Sequence, residues 1–383
     1  MIYLDNHATT SCDYRVADCI YQALVAKFGN ASSIEHEVGN HALSDIRKAR
    51  QNIANLIQSS PKEISFTSGA TESINLAIQG TAGQIQKSGI SPHFVVSPVE
   101  HKAILDTCLS LKAQGEIQLT ILQADSQANL DLSQIENVCA SGIHLLCIML
   151  ANNEVGTIYP IKEIVKIAQA HNVPFLCDAT QAVGKVPIRF NDWGITMLAL
   201  SAHKFYGPKG VGALVVRKGH QLEPLFYGGG QQNGLRPGTL NVPGIVGLGE
   251  ACRLRQLEME EDERAITAKR DRLQSELLAE IPGLVVNGDM QNRLAGNLHI
   301  SVPGVPNSAV IARVKHRLAI STGSACSSGV ETPSHVLTAM GLDEEVIEGA
   351  LRIGLGKFTT DEEVLEAAKI LITEIKAIRE LMF

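Results

Sequence analysis

From about residue 60 to 220 the chain alternates short apolar, β-branched runs with amphipathic stretches. "HFVVSPVEH", "IHLLCIML", "VPFLCDAT", "MLALSAHK" and "GALVVRK" have the length and composition of strands, whereas "IKEIVKIAQAHN" repeats its apolar residues at helical spacing. That alternation predicts an α/β fold, a mostly parallel sheet covered by helices on both faces. In such sheets ligands bind beyond the carboxyl ends of the strands, so chemistry is sought there. Around residue 228 the pattern breaks into "YGGGQQNGLRPGTLNVPG", a Gly/Pro-rich crossing too polar for a core. A long charged helix is predicted over roughly residues 249–281. The tail "TTDEEVLEAAKILITEIKAIRELMF" offers Thr360 as N-cap, acids in its first turn, and Val364, Ala368, Leu371, Ile375 and Ile378 along one face. A second, smaller α/β domain is expected from about residue 250 onward, and no internal repeat or low-complexity segment interrupts the chain.

Composition narrows the function classes. A chain of 383 residues that is 45% hydrophobic supports a large core, and its length alone suggests about two or three domains. A net charge of -7 provides no global attraction to nucleic acid or an anionic membrane. The opening "MIYLDNHATT" has an acid at position 5 and no basic run before an apolar stretch, unlike a secretory signal. Runs such as "GIHLLCIMLA" are too short to span a bilayer, and a cytoplasmic location is expected. The eight cysteines include no C-x-x-C pair, which argues against a structural disulfide or a zinc site. One of them, Cys326 in "AISTGSACSSGVETPSHV", sits among serines, glycines and alanines, as either a turn filler or a nucleophile.

Several strand ends carry candidate chemistry. In "SFTSGATESINLAIQG" a strand runs through small polar residues into a helix whose first turn holds Thr71 and Glu72. Exposed N–H groups and hydroxyls at such a helix start suit a phosphate, although Ser68 and Thr71 would also serve as plain helix caps. Neither this stretch nor "GPKGVG" matches the nucleotide-binding pattern G-x-x-x-x-G-K-[ST]. Asp178 and Gln181 follow a buried-looking strand in "FLCDATQAVGK", and a carboxylate there needs a partner. In "LSAHKFYGPKGVGALVV", Ser201, His203 and Lys204 end another strand, where a partly desolvated lysine amine becomes a Schiff-base former. Phosphate-type helix start, carboxylate and lysine, in that order, fit pyridoxal phosphate, with His101 of "VSPVEHKAIL" as the ring that stacks on it.

The strings "YLDNHATT", "FGNASSIEHEVG", "FTSGATESINLAI", "EHKAIL", "NNEVGTI", "CDATQAVGK", "SAHKFYGPKGVGAL", "LRPGTLN", "STGSACSSG" and "LRIGLGKFTT", taken in order, closely resemble the cysteine desulfurases of the NifS/IscS type, pyridoxal-phosphate enzymes of the class V aminotransferase family. The resemblance runs nearly end to end. It implies a PLP-dependent transferase fold of type I, aspartate aminotransferase-like, with a large cofactor-binding domain over 15–248. A small domain, 1–14 with 249–383, would carry a mobile catalytic loop at about 321–334. It further implies that Lys204 binds the cofactor covalently, that Asp178 faces the pyridine nitrogen, and that His101 stacks on the ring and transfers protons. Ala70, Thr71, Ser201 and His203 would hold the phosphate, and Asn153 and Gln181 would address the ring-oxygen side, Asn153 also meeting substrate. Thr239 would reach the phosphate of the other subunit, which implies a homodimer. Arg352 would grip the α-carboxylate of L-cysteine, and Cys326 would take its sulfur as a persulfide, leaving L-alanine.

That sulfur would pass to acceptor proteins for iron–sulfur cluster assembly or for tRNA or DNA thiolation, without direct nucleic-acid or membrane contact. The alternatives are a selenocysteine lyase or another class V aminotransferase. An aminotransferase has no need of the Cys326 loop, a scaffold protein would be expected to lose Lys204, Asp178 or Cys326, and a thiol redox protein would want a second cysteine in the loop. Ala31, Pro237 and Lys357 depart from the commoner family spelling, at positions expected to affect loop stiffness and the acceptor surface.

Overall fold

A computed structural model describes residues 1–322 and 333–382. A two-residue strand, β1 (Ile2–Tyr3), precedes helices α1 (Tyr14–Val25) and α2 (Glu37–Ile57). The α/β unit follows: β2 (Ile64–Thr67), α3 (Ala70–Gln86), β3 (His93–Val96), α4 (Lys102–Ala113), β4 (Gln118–Ile121), α5 (Leu132–Ala140), β5 (Leu145–Cys147), α6 (Ile161–Ala170), β6 (Phe175–Asp178), α7 (Phe190–Trp193), β7 (Met197–Ser201) and β8 (Gly212–Val216). Its seven strands lie in the order β2-β8-β7-β6-β5-β3-β4. All neighbours are parallel except β8, which runs antiparallel to both β2 and β7.

Period-two alternation splits the strand side chains between two cores. Phe94, Val96, Leu176, Met197 and Leu214 pack on one face with α3 and α4. Val95, Leu146, Cys177, Leu198 and Val215 pack on the other with α2, α5 and α6. Both faces are covered, so the strands read as continuous apolar runs.

The chain then enters α8 (Val242–Glu280), β9 (Val285–Val286), β10 (Asn297–Ser301), α9 (Asn307–Val314), β11 (Leu318–Ala319), α10 (His335–Ala339), α11 (Glu344–Glu348), β12 (Ala350–Gly354) and α12 (Asp361–Met382). An antiparallel sheet β12-β10-β9 and the parallel pair β1-β11 share a separate core. The expected helix near 249 starts earlier, at Val242. Its Asn241 cap accepts from the Gly244 N–H, and Gly249 allows close approach to α2, where a Cβ would lie 2.6 Å from the Ala49 Cα. Residues that read as a loop therefore form a helix packed backbone to backbone. The α12 start is as expected: the Thr360 hydroxyl accepts from the Glu363 N–H at 3.2 Å, and the Glu363 carboxylate accepts from the Thr360 N–H at 2.9 Å.

Residues 5–13 run between the two cores. Asn6 N–H donates to the Gly354 carbonyl, Thr10 N–H to the His203 carbonyl, and Asp13 N–H to the Tyr206 carbonyl. The N-terminal segment is thereby laid against the turn that follows β7.

Candidate active site

Segments after β2, β3, β5, β6 and β7 meet at the carboxyl edge of the large sheet around a cavity of about 550 Å³, closed by the N-terminal segment, β12 and α10. Each strand ends there in a residue whose reach is fixed by its turn. After β2, helix α3 begins with no side chain capping its first turn, so its leading N–H groups stay available to an anion. Gly212, at the start of the reversed strand β8, backs this turn; a Cβ there would lie 2.7 Å from the Gly69 Cα. Ala70, Thr71, Ser201 and His203 all line this end of the cavity.

His101 is the N-cap of α4. Its Nδ1 accepts from the Ala103 N–H at 3.0 Å, which places the ring proton on Nε2. Burial in the cavity wall pushes its pKa down, keeping the ring neutral. Asp178 ends β6 with its side chain buried. One carboxylate oxygen accepts from the Thr180 N–H at 2.9 Å, and among the described residues nothing hydrogen-bonds to the other.

Lys204 directly follows His203, in the turn after β7. Its Nζ donates to the His7 carbonyl at 2.7 Å and the Ala8 carbonyl at 2.8 Å. Burial first, then the charges of Lys185 and Arg352, bring its pKa down to about 7, against the pull of Asp178 and Asp5. An amine that loses its proton near neutrality is a competent nucleophile. For His203, burial and then Lys204 lower the pKa to about 4, so that ring is neutral too.

Arg352 projects from β12 of the small core, buried, and donates to the Asp5 carboxylate at 3.0 Å and the Asn153 carbonyl at 3.1 Å. Gln181 donates to the His7 carbonyl at 2.8 Å and accepts from Lys185 Nζ at 3.0 Å. Asn153 lines the same cavity. Thr239 is exposed and is not among the lining residues. Cys326 lies outside the described residues, but its flanks reach the cavity: Ser321 and Arg352 exchange backbone hydrogen bonds, the Ser334 hydroxyl donates to Glu154 at 2.6 Å, and His335 is a lining residue.

Three residues went unread in the sequence. His7 is buried in the wall with Nε2 unpartnered among the described residues. Buried Glu100, next to His101, accepts from the Ser97 hydroxyl and the Met149 N–H, and burial raises its pKa to about 8. Lys185 sits behind Gln181. The strings "YLDNHATT", "EHKAIL" and "CDATQAVGK" contained all three, but nothing local marked them as neighbours of Lys204. Lys357 was expected to bear on loops or the acceptor surface; instead its ammonium is enclosed between Asp13, at 2.6 Å, and Glu258, at 3.4 Å. Those carboxylates offer it a better partner than solvent.

The donor set suits pyridoxal phosphate: a nucleophilic amine, a carboxylate with one free oxygen, a neutral ring on α4, and an uncapped helix start beside hydroxyls, all around one cavity. Such a set at the carboxyl edge of this sheet defines a fold type I pyridoxal-phosphate enzyme. The aminotransferase class-V family model matches residues 2–366, and the chain belongs to that family. It is 42% identical to "Cysteine desulfurase IscS" of Anaeromyxobacter sp. (strain Fw109-5), covering 99% of this chain and 94% of the relative. Among solved structures, a NifS-like protein superposes with TM-score 0.91 at 35% identity, covering 98% of this chain and 99% of that one. "SspA in complex with cysteine" does so with TM-score 0.81 at 34% identity, over 94% and 100%.

Proposed function

We propose that this protein is a pyridoxal-phosphate-dependent cysteine desulfurase in which Cys326 receives the sulfur. The observation that carries this reading is the meeting of Lys204, Asp178 and the uncapped start of α3 in one cavity flanked by both ends of the Cys326 segment. When bound, the cofactor supplies an electron sink beside the substrate Cα. The chain's own groups do the rest. Lys204 binds the cofactor and exchanges a proton at Nζ near neutral pH. Asp178 would keep the pyridine nitrogen protonated. His101 would lie against the ring and offer its Nε2 proton. Ala70, Thr71, Ser201 and His203 would hold the phosphate, with Thr239 reaching it from a second subunit, and Gln181 and Asn153 would address the ring-oxygen side.

Arg352, held in plane by Asp5 and the Asn153 carbonyl, orients the α-carboxylate of L-cysteine. In the net reaction the substrate C–S bond breaks and an S–S bond forms to Cys326. The proton lost by the Cys326 thiol is made up on the carbon that becomes the methyl of L-alanine.

The two separate cores support a large domain over 15–248 and a small one made of 1–14 with 249–383. A homodimer is supported by the apolar side chains Tyr14, Tyr21, Leu24, Val25 and Phe28 exposed along and just after α1, and by Thr239, which is exposed and lies outside the cavity lining of its own chain. Sedimentation at twice the single-chain mass is the matching readout. No described helix is long and apolar enough to cross a membrane. A cytoplasmic enzyme handing persulfide sulfur to iron–sulfur scaffold or thiolation proteins fits these features. The deciding experiment gives the yellow, cofactor-loaded protein L-cysteine and a thiol reductant and assays alanine and sulfide for wild type and Cys326→Ala. Alanine from wild type, with loss of persulfide and sulfide in the variant, is expected; no alanine from wild type overturns the reading.

A further inference from the structure

A second lysine lies behind this wall, beneath Gln181. Lys185 donates from Nζ to Gln181 Oε1 at 3.0 Å, Gln181 Nε2 donates to the His7 carbonyl at 2.8 Å, and the same carbonyl accepts from Lys204 Nζ at 2.7 Å. An ammonium only donates, so Lys185 requires the oxygen of the Gln181 amide to face it. The amide nitrogen is thereby turned to the His7 carbonyl and the cavity, with one N–H left over. His7 reinforces this orientation, its Nδ1 lying 3.4 Å from the same Oε1.

We propose that Lys185 is a positioning residue of the cofactor site, fixing the Gln181 amide with its N–H toward the cofactor and using its positive charge to hold Lys204 in the neutral, reactive form. This rests on the cofactor reading above. A second cation near a nucleophilic lysine disfavours protonation of that lysine without touching it. The groups facing Lys204 are Asp178 from β6, Asp5 and His7 from the N-terminal segment, Arg352 from β12, His203 from its own turn, His101 from the start of α4, and Lys185. Those facing Lys185 are Glu263 and Arg255 of α8, Arg352, His7, and Lys204 and His203 of the turn after β7. Of the cations, Arg352 is already tied to Asp5 and committed to the substrate side, which leaves Lys185 as the one whose hydrogen bonding leads to Lys204 through a single side chain.

The test is a pH titration of the visible absorption of the cofactor-loaded enzyme, which follows the proton at Lys204 Nζ. Lys185→Met should move the midpoint up by roughly one pH unit and weaken cofactor retention. Lys185→Gln keeps a donor to Gln181 without the charge, so its midpoint should rise by a similar amount with cofactor retained better than in Lys185→Met. Lys185→Arg should titrate as wild type does. If Lys185→Met does not fold, Lys185→Gln carries the test. Wild-type midpoints in both neutral variants would overturn the proposal while leaving the cofactor reading intact. No visible band in wild type, or a band that survives Lys204→Ala, would overturn the cofactor reading itself.

Discussion

At the scale of single residues, the site works by keeping groups out of their usual protonation states. Lys204 has a folded pKa of about 7 against 10.5 for a free lysine, first because burial penalises its ammonium. It is therefore uncharged above about pH 7. Apoprotein mixed with pyridoxal phosphate should take up cofactor with a rate that rises through a midpoint near pH 7, followed as visible absorbance, instead of climbing steadily toward pH 10. The stability sign follows: between about 7 and 10.5 the unfolded chain binds the extra proton, so this lysine's penalty on folding fades as pH rises through that window. Arg352 makes a complementary case. Its guanidinium donates from separate nitrogens to the Asp5 carboxylate and the Asn153 carbonyl, a planar fork that a lysine ammonium cannot reproduce. Arg352→Lys should raise KM for L-cysteine roughly ten- to hundred-fold, with kcat less affected, in a steady-state alanine assay.

At the scale of elements, helix ends carry both function and stability. The start of α3 is left uncapped where an anion can use it, whereas α12 has a complete capping box. Thr360→Ala should cost about 1 kcal/mol, read as a lower urea midpoint at unchanged slope, with cofactor absorbance unaffected. The same elements show where sequence reading works. That Lys204, Asp178, His101 and Arg352 would gather around one cavity was legible because each follows or lies in an apolar run and belongs to a recognisable string. The strand β4 was not, because "QLTI" is a half-exposed edge strand without a buried pattern. The first turns of α8 were not, because Pro243, Gly244, Gly247 and Gly249 look like loop until α2 is brought against them. His7 and Lys185 were visible as letters, but their roles depend on neighbours many residues away in the chain.

At the scale of the whole molecule, the two cores are joined by α8, whose first half packs in the large core through Ile245, Leu248 and Cys252 and whose second half packs in the small one through Ile266, Leu273 and Leu277. A second tie is ionic. Lys357 lies between Asp13 of the N-terminal segment and Glu258 of α8, both also held by Arg15, and its ammonium sits 4.8 Å from the Tyr206 ring centroid. Asp13 is held well below the usual carboxylate range, by Arg15 first and Lys357 as well. Its stabilising share is present above about pH 4 and is lost as acid protonates it. Lys357→Met leaves two carboxylates with one cation and should cost on the order of 2 kcal/mol, seen in thermal unfolding, while Lys357→Arg should stay near wild type.

The N-terminal segment has a bearing on biosynthesis. The carbonyls that receive Lys204 Nζ belong to residues 7 and 8, held in place by Ile2 and Tyr3 pairing with Leu318 and Ala319 and by Asn6 against Gly354. Those partners leave the ribosome more than three hundred residues after the strand they receive, a wait of roughly tens of seconds at ordinary elongation rates. A nascent chain can build its large sheet early, yet it cannot complete the lysine's surroundings until Leu318, Ala319 and Gly354 have emerged. Chains terminated before Leu318 should therefore remain colourless when supplied with pyridoxal phosphate.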